Sequence, residues 1–391
     1  MKLSDIIGQP RAIEMLQHAI SSRRLHHTLL FMGPLGVGKW TTANAVAAAS
    51  LCNEQVSGDA CGICSSCRRV FSLAHPDVHY IIPFPTGSGV SAEKRLDHEK
   101  GLLADWLEAR RKNPFVHHDQ DPAASISIHW IRHLQKTIAL RSHEHGPRFV
   151  IIREADKIGS VAANALLKTL EEPPRDAVLI LTTSSPASML PTVLSRCQRV
   201  MFRSLGKGEM MEAIEGLRKR IRAHGARNSD QALSELCSQM EEETAVQCAN
   251  LTGGQPGKWV DLISRKPPPT RDYAFALLEQ GVGKDIPGRL EEIESLVGKR
   301  RLDSADCIYL LDWLQHVLRD VLAHKSGGSI EHTDMLRSIE KASERLSSEE
   351  AIRMLDIVIR RRRLYQSQGS RNVNSPLLLA VTLADLARKG H

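Results

Sequence analysis

Leu29-Leu30-Phe31-Met32-Gly33-Pro34-Leu35-Gly36-Val37-Gly38-Lys39-Trp40 decides the fold of this chain. An apolar run, a glycine-punctuated turn and an alanine-rich stretch as far as Ser50 make the strand, loop and helix of a P-loop. In such a loop Gly33, Gly36 and Gly38 let the backbone N–H groups approach phosphate, and Lys39 reaches the outer phosphates. The following residue ordinarily supplies a hydroxyl to Mg²⁺. Here it is Trp40, which has no oxygen to offer. Thr41 comes one step later, and one step along a helix turns a side chain by about 100°. The loop reads as that of a relative of ATPases that has lost hydrolysis.

Outward from this loop, residues 1–204 alternate apolar strands with helices, as a parallel α/β sheet does. Strands are predicted at Thr28 to Met32, Val78 to Ile82, Arg148 to Ile152 and Val178 to Thr183. Helices are predicted at Gln9 to Ser22, Lys39 to Ser50, Ile126 to Leu140 and Ser160 to Leu170, the last capped by Ser160 and stopped before Pro173-Pro174. A P-loop ATPase also needs an acidic residue at the end of a buried strand to hold Mg²⁺, often followed by a glutamate that orients water. After Phe149-Val150-Ile151-Ile152 the chain reads Arg153-Glu154-Ala155-Asp156. Glu154 survives as a vestige of the water-orienting position. Arg153 takes the metal position, where its guanidinium repels a divalent cation. Asp156 is the alternative ligand, but it lies four residues beyond Ile152, past the strand end.

Of the eight cysteines, Cys52, Cys61, Cys64 and Cys67 fall in one short window. Two C-x2-C units share Cys64, a metal pattern rather than a disulfide one in a chain without a secretory signal. Four thiolates make a closed tetrahedral zinc site that staples a small excursion, a zinc module over about 51–70. An iron–sulfur cluster is the rival, because C-x2-C-x2-C also begins the ferredoxin signature. The fourth ligand and proline expected soon after Cys67 are replaced by Arg68-Arg69-Val70. Cys197, Cys237, Cys248 and Cys307 read as small buried residues.

At 391 residues the chain is long enough for two or three domains. No run approaches the roughly 18 apolar residues of a membrane span, and Met1-Lys2-Leu3-Ser4-Asp5 opens no signal peptide, so a cytoplasmic location is expected. A net charge of +7 permits contact with nucleic acid, while 4% aromatic content argues against base-stacking platforms. Residues 84–122 read as an inserted surface excursion without strands, with Thr86-Gly87-Ser88-Gly89 as a turn and Glu93 to Lys112 at helical spacing. From Leu205 the chain turns helical. A compact segment at 205–266 and a Pro-rich linker, Arg265 to Thr270, precede a helical domain at 271–391. His26-His27, His117-His118, His143 and His145 read as solvated residues. Arg360-Arg361-Arg362-Arg363 reads as a solvated helix face or a polar interface rather than a phosphate contact.

Asn164-Ala165-Leu166-Leu167-Lys168-Thr169-Leu170-Glu171-Glu172-Pro173-Pro174 and Leu194-Ser195-Arg196-Cys197-Gln198 resemble the bacterial DNA polymerase III clamp-loader family. Ile6-Ile7-Gly8-Gln9, the four cysteines, His75-Pro76-Asp77 and Asn372-Val373-Asn374-Ser375-Pro376 agree with it, so the resemblance covers most of the chain except 84–122. It implies an AAA+ P-loop domain with zinc module at 1–204, a helical lid at 205–266 and an all-α collar for oligomerisation at 271–391. In that family the motor type, gamma/tau, keeps both magnesium ligands, whereas a stator type loses one or both. Trp40 and Arg153 place the chain with the stator type, as do Met189-Leu190 before Pro191 and Pro256 in Gly253-Gly254-Gln255-Pro256-Gly257-Lys258, where motor subunits carry a phosphate-sensing arginine. The resemblance further implies gamma/tau and delta subunits as partners, with the sliding clamp and primer-template DNA met through the assembled ring. It makes Arg196 an arginine finger for a neighbour's ATP. Two readings of the loop stay open, one empty and one holding ATP without hydrolysis, with Mg²⁺ disfavoured in both. An active motor subunit is the alternative function.

Overall fold

The computed structural model describes residues 1–85, 92–112, 124–139, 142–144, 146–174, 176–228, 252–259, 270–280, 287–288, 291, 304–368 and 375–387. The chain falls into two compact units. One is Met1–Ala245 with Thr252–Asp261, and the other is Val246–Leu251 with Leu262–His391. The predicted linker 265–270 lies almost wholly outside the described residues, and Asn372 to Asn374 and Cys237 and Cys248 lie outside them too.

The first unit is built on a parallel sheet of β1 (Thr28–Met32), β2 (Val78–Ile81), β5 (Arg148–Ile152), β6 (Ala177–Thr183) and β7 (Gln198–Met201), in the order β2-β5-β6-β1-β7. A second, two-residue antiparallel pair joins β3 (Phe84–Pro85) to β4 (Ala124–Ser125). β1, β5 and β6 are buried from end to end, which is why they read as unbroken apolar runs. Alternate side chains serve opposite faces. Leu29, Phe31, Phe149, Ile151 and Ile180 pack with α1 (Pro10–Ser21), α2 (Lys39–Ser50) and α3 (Ser65–Phe71). Leu30, Val150, Ile152, Leu179 and Leu181 pack with α5 (Ile128–Ile138) and α6 (Ser160–Glu171). The register aligns Met32 with Thr183 and Ile152 with Leu181, so the carboxyl ends of β1, β5 and β6 open on one crevice.

Four sequence expectations change. Gln198–Met201 was not expected as a strand; three of its four residues are exposed, so its periodicity is masked, and pairing with β1 makes it a sheet edge. Ile126 does not start a helix but bridges to Ile158, because Ser127 caps α5 by accepting the Trp130 N–H at 3.4 Å. Gly159 holds the cap position of α6, where no side-chain bond forms, and Ser160 is its first residue. Within the stretch expected to be strandless, Phe84–Pro85 pairs as β3, and α4 (Ala92–Lys112) confirms the helical spacing, while 86–91 and 113–123 lie outside the described residues.

His75-Pro76-Asp77 is a staple. The buried Asp77 carboxylate accepts the N–H groups of His143 at 2.7 Å and Glu144 at 3.0 Å, fixing the approach to β5. Beyond β7, α7 (Pro191–Leu194) precedes that edge strand in sequence and α8 (Lys207–Asn228) follows it. The second unit packs α9 (Thr270–Gln280), α10 (Ser304–Ser326), α11 (Leu336–Arg345), α12 (Ser348–Gln368) and α13 (Ser375–Ala387) around Phe275, Leu310, Leu314, Val317, Val358 and Leu383. Arg361 pairs with Asp385 at 2.6 Å and Arg362 with Asp312, so these two arginines of the basic run link helices, while the exposed Arg360 pairs with Asp356 of its own helix. Among the described residues no helix is long and apolar enough to cross a membrane.

Candidate nucleotide site and metal centre

The P-loop links β1 to α2 with Gly33, Gly36 and Gly38 all at positive φ (153°, 76° and 96°). At Gly33 the need is also steric, since a Cβ there would lie 2.2 Å from the carbonyl oxygen of Phe202, where β7 leaves the sheet. Gly33→Ala is therefore expected to cost about 1–3 kcal/mol or more of stability, read as a lower denaturant midpoint at unchanged slope. Lys39 is turned back onto its own loop. Its Nζ donates to Gly33 O at 2.7 Å and Pro34 O at 2.5 Å, and burial pulls its pKa down to about 8 against the opposing charges of Asp156 and Glu154. From the far side the Gly257 N–H donates to Gly36 O at 2.8 Å, placing the segment with Pro256 directly on the loop.

Trp40, Arg153 and Glu154 meet on the metal side. Trp40 packs on Tyr80 and, edge to face, on Trp106 of α4, with ring centroids 5.2 and 5.4 Å away. Arg153 lies over the same Trp106 ring at 5.7 Å and pairs with Glu154 at 2.9 Å. Lys157 takes the other Glu154 oxygen at 2.9 Å. Glu154 adopts the left-handed region, φ 52°, with its N–H on Thr182 Oγ1 at 3.3 Å. A carboxylate held by two cations is a poor base for water. Asp156 accepts Thr183 Oγ1 at 2.5 Å, and burial holds its pKa above the usual carboxylate range. The donor set does not fit Mg²⁺: an indole and a guanidinium stand where a hydroxyl and a carboxylate are needed.

Arg196 lies in the turn between α7 and β7. Its Nε donates to Glu171 Oε1 at 2.7 Å, Nη2 meets the same oxygen, and Nη1 donates to Thr192 O at 2.8 Å and Ser195 Oγ at 3.3 Å. The guanidinium is half-exposed and set beside the end of α6, 25 residues earlier in the chain.

Cys52, Cys61, Cys64 and Cys67 converge, with all four Sγ atoms within 4.8 Å of one another and the Cys52–Cys64 and Cys61–Cys67 pairs at 4.0 and 3.9 Å. Zn–S bonds of about 2.3 Å place tetrahedral sulfurs about 3.8 Å apart, so the set fits zinc. Cys61 N–H points at Cys52 Sγ (3.2 Å) and Cys64 N–H at Cys61 Sγ (3.3 Å), an arrangement that stabilises thiolates. The knuckle is tied to the chain start by Asp59, whose carboxylate accepts the N–H groups of Leu3 and Ser4 at 2.9 Å each.

Sequence reasoning placed the loop, Glu154, Arg196 and the cysteines, and missed four contributors. Thr182 and Thr183 look like ordinary strand residues. Trp106 and Arg110 sit in the charged insertion, where a single aromatic four residues before an arginine was the available signal. Arg110 stacks on the Trp106 ring at 4.6 Å, and burial, then the neighbouring Arg153, pull its pKa down to about 9.

The chain is similar over 197 residues to the DNA polymerase III subunit delta' of Bacillus subtilis, at 31% identity over 50% of this chain and 48% of that protein. It thus spans about half the length of that relative. A second relative, the DNA polymerase III subunit delta' of Pseudomonas aeruginosa, is 24% identical over 96% of each chain. A solved structure, a DNA polymerase III gamma-subunit-related protein of Thermotoga maritima, aligns at 15% identity and a TM-score of 0.41 over 96% of this chain and 98% of that one. Residues 8–206 match the family described as "DNA polymerase III, delta subunit", and residues 299–388 match "DNA polymerase III, delta subunit, C terminal". Because the first match alone takes in more than half of the chain, the chain belongs to the DNA polymerase III delta-subunit family.

Proposed function

We propose that the chain is the non-hydrolysing stator, of the delta' type, in a bacterial clamp loader that opens the sliding clamp and places it on primed DNA. One observation carries this. The carboxylate that would orient water, Glu154, is neutralised by Arg153 and Lys157, and Arg153 itself fills the metal position. The relatives named delta' support the same assignment. Residues 1–204, 205–266 and 271–391 serve as AAA+ domain, lid and collar, with gamma/tau and delta subunits as neighbours and DNA reached through the assembled ring. Arg196 serves a neighbour's ATP, not this chain's own loop. The cysteine knuckle holds zinc, which supplies a closed structural crosslink.

Turnover by the purified chain separates this reading from that of a motor subunit. No ATP hydrolysis above background is expected with Mg²⁺, with or without primed DNA. A rate of about 1 s⁻¹ or more, the scale of working phosphoryl-transfer enzymes, would overturn it.

A further inference from the structure

Helix α4 lies in the stretch 84–122, which carries none of the motifs quoted for the family, and its buried face meets both substituted magnesium positions. Trp106, itself buried, touches Trp40 from one side and takes the guanidinium of Arg153 on its ring. Arg110, one turn further on, stacks on the same indole, and its Nε is buried with no hydrogen-bond partner among the described residues. The rest of α4 is pinned around this contact. Arg111 donates to Ser72 O at 2.9 Å and Leu73 O at 3.0 Å, closing the end of α3, and the buried Glu99 accepts Ser127 Oγ at 2.9 Å at the start of α5. One helix therefore joins the P-loop helix, the end of β5, the zinc module and α5.

We propose that α4 is a resident plug: Trp106 and Arg110 fill the metal side of the loop and brace it as a bound magnesium nucleotide would brace an active relative. A divalent cation entering there meets two guanidinium groups and an indole, and the Glu154 carboxylate is engaged twice. Repulsion between cations acts against it, as do an indole and a guanidinium standing where oxygen ligands are needed. The plug also explains the tolerance of a tryptophan at position 40. Its ring is covered by Trp106 and Tyr80 instead of facing water, and aromatic pairs in edge-to-face geometry are favourable in their own right. This inference rests on the reading of the site as non-hydrolysing.

Four full-length chains test it: wild type, Trp40→Thr/Arg153→Asp, that pair combined with Trp106→Ala/Arg110→Ala, and Trp106→Ala alone. MgATP is titrated into the first three by calorimetry, and backbone hydrogen exchange is followed in the wild type and the last. The two-substitution chain is expected to bind no better than wild type, because the plug remains, and the four-substitution chain to bind at least about tenfold more tightly than either. Trp106→Ala alone is expected to speed exchange at residues 36–42 by about tenfold or more while β6 keeps its protection. The plug is overturned if the two- and four-substitution chains bind MgATP equally, or if exchange at 36–42 does not change in Trp106→Ala. Should the four-substitution chain not fold, the exchange result decides alone. Hydrolysis by wild type would instead sink the stator reading itself.

Discussion

In a clamp loader reconstituted with this chain, Arg196→Ala is expected to lower the DNA- and clamp-stimulated ATPase by the share of one site and no more. A finger in trans is worth on the order of 10³–10⁵ in rate, so the adjoining site falls silent while sites served by other fingers continue. The variant should fold, because Arg196 and Glu171 are half-exposed and such a pair contributes only about 0.2–1 kcal/mol. Arg196→Lys should not restore the rate, since an ammonium lacks the planar fork that spans two phosphate oxygens. The observed pairing adds a condition. Four N–H groups of Arg196 are already engaged by Glu171, Thr192 and Ser195, so the guanidinium must leave Glu171 to reach a phosphate. Glu171→Gln should therefore leave the stimulated rate intact or raise it. Assembled loader with unchanged stimulated ATPase in Arg196→Ala would remove the finger role.

The second large effect concerns the cysteine knuckle. The purified chain is expected to carry close to one zinc, and Cys64→Ser or prolonged chelation should release it. Structural zinc sites in small peptides are worth about 10–16 kcal/mol at neutral pH. Here part of the module survives on packing, since Cys67 and Val70 are fully buried against the P-loop unit's core, so a loss of several kcal/mol on that scale is expected rather than the whole. Metal analysis with denaturant unfolding of the apo and zinc forms measures it. Iron with visible absorbance, or no metal in protein prepared without chelators, would overturn the assignment.

The sheet was legible because its strands are buried on both faces, and β1 and β5 run over the residues that apolar continuity predicts. β7 was not legible, as an edge strand with three exposed residues carries no apolar run. The loop and the cysteine set were readable because phosphate and metal chemistry constrain both residue type and spacing. The partners of those residues were not. Trp106 reaches Trp40 from 66 positions away, and Arg196 finds Glu171 across 25, distances over which spacing says nothing of contact. The helix α4 was readable as a helix, yet its charged composition disguised the one aromatic that matters.

The bond from Gly257 N–H to Gly36 O, with Lys39 folded onto Gly33 and Pro34, engages three loop carbonyls and the loop lysine within the chain itself. A protein that binds a ligand in its native state gains stability in proportion to the logarithm of that ligand's concentration. On the reading of the loop as empty, the chain gives up this gain and, with it, any dependence on the supply. The lifetime of this chain in a starving cell, and its readiness to take its place among neighbours, would then be independent of the energy charge that governs subunits with open loops.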